Sequence, residues 1–79
     1  MSEENITLNN LPIGKKCIVK ELLSNGIERR RMLDLGLIQG TSVEALQKSP
    51  SGDPIAYLVR GAVIALRNDD SSKIIIELQ

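Results

Sequence analysis

Three consecutive arginines, Arg29, Arg30 and Arg31, form the densest charge in this sequence. Cations near a helix N-terminus oppose the helix macrodipole, at a cost of about 0.3–1 kcal/mol each when exposed. An Arg30–Asp34 pair one turn apart offsets part of that cost on a solvated face. The chemistry open to Arg30 and Arg31 beyond this is the docking of an acidic partner surface. Asp69 and Asp70 could hold a hard cation weakly, but the remaining ligands of a calcium loop are missing. Cys17 is the single cysteine, and there is no histidine. A Ser/His/Asp or Cys/His set therefore cannot be assembled, and a zinc or iron site built by one chain lacks its usual ligands. These residues predict a protein that is not an enzyme, with no catalytic residue, no metal ligand and no cofactor evident. Within the strand-like run KKCIVKELL, Cys17 reads as a small buried hydrophobe.

The stretch LGLIQGTSV, residues 35–43, raises the question of a phosphate-cradling loop. Such loops cluster glycines ahead of a helix N-terminus, usually with a lysine. Here the order is reversed, since a helical pattern runs into Gly36 and a strand pattern leaves after Gly40. Gly36 closes the helix in a left-handed conformation. Gly40 fits the third position of a type II turn over Ile38–Thr41. Both glycines are explained as a corner.

The elements around that corner follow from periodicity. Residues 1–6 read as a flexible tail and 7–79 as one domain. NNLPIG, 9–14, is a turn, and Lys16–Leu23 a strand rich in β-branched residues. Asn25 as N-cap with Glu28 three residues on resembles a capping box opening the helix IERRRMLDLG. On its wheel Met32, Leu33 and Leu35 share an arc that should face the core, with Arg30, Arg31 and Asp34 opposite. Arg29 falls inside the apolar arc and must snorkel or find a partner. Strands follow at 41–47, 55–60, 62–67 and 73–78. KSPSGDP is a hairpin tip, Gly61 a bend or bulge, and NDDSS a turn. About five short strands, one helix after the first of them, and tight turns predict a small β-barrel.

Ten basic and ten acidic side chains cancel, and Tyr57 is the only aromatic residue. Nucleic-acid binding draws on a positive excess and on aromatic stacking platforms, so this chain is predicted to bind none. The apolar run from Gly61 to Leu66 is far too short to insert into a bilayer. The acidic start MSEEN is unlike a secretory signal, which makes the cytoplasm the expected compartment.

The runs RRMLDLGLIQGT, GDP at 52–54, YLVRG and IALR, in this order and spacing, resemble the ferrous iron transport protein A (FeoA) family. The resemblance covers about 65 residues, from LPIG to the last strand. It implies an SH3-like β-barrel and a cytoplasmic, non-enzymatic accessory of ferrous iron uptake. The implied partner is a membrane ferrous-iron permease that carries a cytoplasmic GTPase domain. Related domains occur in iron-dependent repressors, which gives the alternative of a transition-metal-binding regulatory domain. The residues implied as structural signature are Leu35, Gly36, Leu37 and Gly40 at the corner, Arg60 and Gly61 at a bend, and Ala65–Arg67 as a core strand. Two departures stand out: Gln39 where the family often has proline, and NDDSS where it is usually acidic with an alanine. No oligomeric state follows from the resemblance.

Overall fold

The computed structural model describes residues 6–79. Alternation along each strand sends one set of side chains inward. Strand β2 (Lys16–Leu22) buries Cys17, Val19 and Leu22; β3 (Ser42–Lys48) buries Val43 and Ala45; β4 (Ile55–Val59) buries Ile55, Tyr57 and Val59. The step of three between Val19 and Leu22 breaks the period of two. A register shift between Val19 and Glu21 absorbs it, and β3 has a second shift between Ala45 and Gln47. Such bulges increase local twist and bend the strands.

With β1 (Ile6–Thr7), β5 (Ala62–Leu66) and β6 (Ile74–Leu78), these strands form one antiparallel sheet in the order β1-β6-β2-β3-β4-β5. In a flat sheet β4 would lie roughly 19 Å from β1, at about 4.8 Å per strand. Yet the Tyr57 hydroxyl on β4 donates to the carbonyl of Leu8, 3.4 Å away in the short 3-10 turn that follows β1. The sheet therefore coils around its core as a barrel. Tyr57 is the largest fully buried side chain, and Leu8, Met32, Leu37, Leu66, Ile74 and Ile76 share that interior.

Helix α1 (Gly26–Asp34) follows β2. Asn25 is its N-cap, but no side-chain hydrogen bond closes there, so the expected capping box does not form. Of the predicted apolar arc only Met32 is buried; Leu33 and Leu35 remain 38% and 36% exposed. The arc is wrong because the helix meets the barrel along a single short line. Arg29 finds the partner it needs, donating from Nη1 to the Leu22 carbonyl at 3.2 Å.

Three further expectations change. Residues 1–5 of the predicted tail lie outside the described residues, whereas Ile6 pairs with Ile76 in β1. The NDDSS turn is a single helical turn, α2 (Asn68–Ser71). The hairpin tip holds it in place, since the Asp53 carboxylate accepts the Asn68 N–H at 2.8 Å. Finally, Ala65–Arg67 is no core strand. Only Leu66 is buried there, because β5 stands at the end of the sheet with β4 as its one strand neighbour.

Candidate interaction site at the glycine corner

The helix ends as its sequence predicts. Gly36 has φ +96°, its N–H donates to the Leu33 carbonyl, and the Leu37 N–H donates to the Met32 carbonyl. This pair of bonds is a Schellman closure, and its usual hydrophobic contact joins Leu37 to Met32, both buried. Gly40 follows with φ +92°, and the Thr41 N–H returns to the Ile38 carbonyl at 2.9 Å, as a type II turn requires. Two more bonds, Gly40 N–H to Val19 O and Val19 N–H to Thr41 O, fasten the corner to β2.

Arg60 and Gly61 stand opposite. Both have positive φ, 52° and 84°, between the paired residues Val59 and Ala62. This is a two-residue type I′ hairpin turn, so of the expected bend or bulge it is the bend that forms. A Cβ placed on Gly36 would lie 3.1 Å from Arg60 Cδ and 3.5 Å from Val59 Cγ1. The glycine at position 36 thus serves a close approach as well as a backbone angle. Two signature segments some 20 residues apart in sequence meet here.

Beside the Arg60–Gly61 turn runs an open groove of about 290 Å³, lined by Lys16, Thr41, Ser42, Glu44, Leu58, Arg60 and Gly61. Lys16 and Glu44 carry no motif of their own, and Leu58 lies within YLVRG. Strand register alone aligns them, Lys16 opposite Glu44 and Glu44 opposite Leu58. Two cations, one carboxylate and hydroxyls on a concave, solvated surface suit recognition of a polar protein surface.

The remaining predicted residues are scattered. Arg30 and Arg31 are exposed on α1. The expected Arg30–Asp34 pair does not form. Arg31 instead reaches Asp70 on α2, with Nη2 3.6 Å from Oδ2, and Lys73 pairs with Glu28 at 3.5 Å. Arg30 makes no ion pair among the described residues. Arg67, placed with the core by resemblance, is the exposed N-cap of α2, and its carbonyl accepts from Asp70 and Ser71. Asp69 and Asp70 do not combine with other ligating side chains. Among the described residues no three of His, Cys, Asp and Glu gather to hold a metal ion.

Cys17 is fully buried, and that burial pushes its thiol up to about 11. A thiol reagent should therefore label native protein slowly and unfolded protein fast, and rapid native labelling would contradict this placement. The linkage sign also follows. Above the ordinary thiol pKa of about 8.5 the unfolded chain loses a proton that the native chain keeps. Stability from this group is complete below that pH and falls as pH rises toward about 11. A Cys17→Val variant should show a flatter alkaline stability curve; a parallel curve would exclude this cause.

A family model described as the FeoA domain matches residues 6–78. The chain belongs to the FeoA domain family. A relative in Porphyromonas gingivalis, an Fe(2+) transport protein A/Fe(2+) transporter FeoB fusion protein, is 30% identical over 71 residues. Those residues are 90% of this chain but 8% of the relative, so this chain spans a small part of that protein. Among solved structures, a FeoA-like protein of Clostridium acetobutylicum is 32% identical with a TM-score of 0.88, covering 98% of this chain and 90% of that one. The FeoA of Stenotrophomonas maltophilia, a prokaryotic SH3 domain protein solved with zinc, is 26% identical with a TM-score of 0.82, covering 91% and 89%. The SH3-like barrel implied by the sequence motifs is the fold of this FeoA domain.

Proposed function

We propose that this FeoA domain is a cytoplasmic, non-enzymatic accessory of ferrous iron uptake. It binds and regulates a membrane iron permease that carries a cytoplasmic GTPase domain. The observation carrying this reading is the covalent union of an Fe(2+) transport protein A with a FeoB transporter in the P. gingivalis relative. Two activities joined in one polypeptide operate side by side, and a separate chain achieves the same proximity by binding. The surface supports such a role, with an open groove bordered by charged side chains and hydroxyls and with exposed arginines on α1. Among the described residues no helix is long and apolar enough to cross a membrane.

Arg30 and Arg31 are the proposed contact. Replacing both by glutamate should leave folding nearly intact, because the partly exposed Arg31–Asp70 pair contributes about 1 kcal/mol. Association with the permease's cytoplasmic domain should slow and lose its salt dependence, since peripheral charges act mainly on encounter rate. The measurement is binding kinetics of wild type and double variant at two salt concentrations. Absence of any binding by the wild type would overturn the accessory role. Equal binding by both proteins at both salts would instead move the contact away from the arginines.

A further inference from the structure

Strand β5 ends the sheet, and among the described residues its outer side is joined to no other segment by a backbone hydrogen bond. In a two-residue hairpin the closing pair exchanges hydrogen bonds, and such pairs recur every second residue. Ala62, Ile64 and Leu66 therefore spend their backbone groups on Val59, Tyr57 and Ile55, their partners in register. Val63 and Ala65 aim their N–H and C=O groups outward. Natural edges are usually blunted by charge, proline or a bulge. AVIAL has none of these, and Val63 is 65% exposed.

We propose that this edge pairs with β5 of a second copy of the chain, antiparallel about a two-fold axis at Ile64. That register puts Val63 of each copy opposite Ala65 of the other, where all four outward N–H groups find carbonyls. It is also the register that the surface favours. Ala65 borders a groove of about 290 Å³ whose other walls are Gln47, Ser49, Pro50, Pro54 and Ala56. Val63 of the other copy, arriving opposite Ala65, comes to lie at that groove. Knob and groove belong to the same surface, so the contact is self-complementary, as an isologous dimer requires.

Charge points the same way. A parallel pairing would set Arg60, Arg67 and Asp69 each beside its own copy. The antiparallel one sets position 60 of one copy level with position 68 of the other, between Arg67 and Asp69, and avoids those three like-with-like pairings. The contact is small beside the roughly 1,200 Å² of a standard stable interface, so the dimer is weak and depends on concentration.

Sedimentation and amide hydrogen exchange of the full chain, compared across about a hundredfold range of concentration, test this. The expected result is a dimer at the high end, in which the Val63 and Ala65 amides exchange about tenfold more slowly while the Ile64 amide is unchanged. Val63→Lys and Ala65→Pro should each abolish both signals. Lysine takes an exposed position, and proline removes an outward donor while sparing the β4 ladder. Ile27→Lys, at an 85% exposed site on α1, should leave the dimer intact. Concentration-independent exchange at both edge amides would overturn the proposal, as would a dimer that survives Val63→Lys. Protection that appears only when the permease's cytoplasmic domain is added would also overturn it, assigning the edge to strand addition by that partner instead.

Discussion

Replacing Tyr57 with alanine is expected to cost about 3–5 kcal/mol, measured as a fall in the denaturant midpoint at unchanged slope. The side chain is fully buried and is the largest in the core. Domains of this size hold about 5–15 kcal/mol in total, so the variant should be close to unfolding at room temperature. Tyr57→Phe separates packing from polarity. It keeps the ring and removes only the hydroxyl that donates to Leu8 O, at an expected cost of about 1 kcal/mol. If phenylalanine cost as much as alanine, the hydroxyl tether would matter more than the ring, and the packing account of the barrel interior would fail.

Gly36→Val is expected to cost about 2–4 kcal/mol, more than Gly40→Val at about 1–3 kcal/mol. Both positions have φ near +90°, where a β-branched residue is strained. They differ in surroundings. A Cβ at Gly40 meets nothing within 4 Å, whereas one at Gly36 presses on Arg60 Cδ at 3.1 Å. Backbone strain acts at both, and crowding acts only at Gly36. Shortening the neighbour should therefore recover part of the loss: Gly36→Val combined with Arg60→Ala should lose less stability than the two single changes added together. Strict additivity would mean that the corner and the strand turn do not press on each other.

The corner was readable in advance because its causes are local. Gly36 and Gly40 each sit where a short segment demands positive φ, and neighbouring residues announce that demand. Other features depend on partners remote in sequence. NDDSS looks like a turn because its four-residue helix is fastened by Asp53, 15 positions earlier. Leu33 and Leu35 form a plausible core face on a helical wheel, but the barrel offers α1 little surface, and Met32 with Leu37 fills it. Arg60 conceals a type I′ turn because Asn or Asp usually occupies that position before glycine. The groove was invisible for a similar reason. Lys16, Glu44 and Leu58 belong to three strands, and only the register aligns them. The edge of β5 was legible as an uncharged apolar run, but its place at the end of the sheet was not.

The last strand of the sheet lies between the first two, with Ile76 opposite both Ile6 and Val19. This arrangement sets a timetable for the nascent chain. The β2–β3–β4–β5 meander can pair as it leaves the ribosome, each strand beside its predecessor. The barrel cannot close until residues 74–78 are free to slide into the gap between β1 and β2. Until then Cys17, Val19 and Leu22 lack the strand that completes their enclosure. Closure joins residues some 70 positions apart, which places folding toward the slow, high-contact-order end for small domains. A domain assembled in this order is committed only when its synthesis is nearly over, and any sequence that continues beyond β6 must leave that strand free to find its slot.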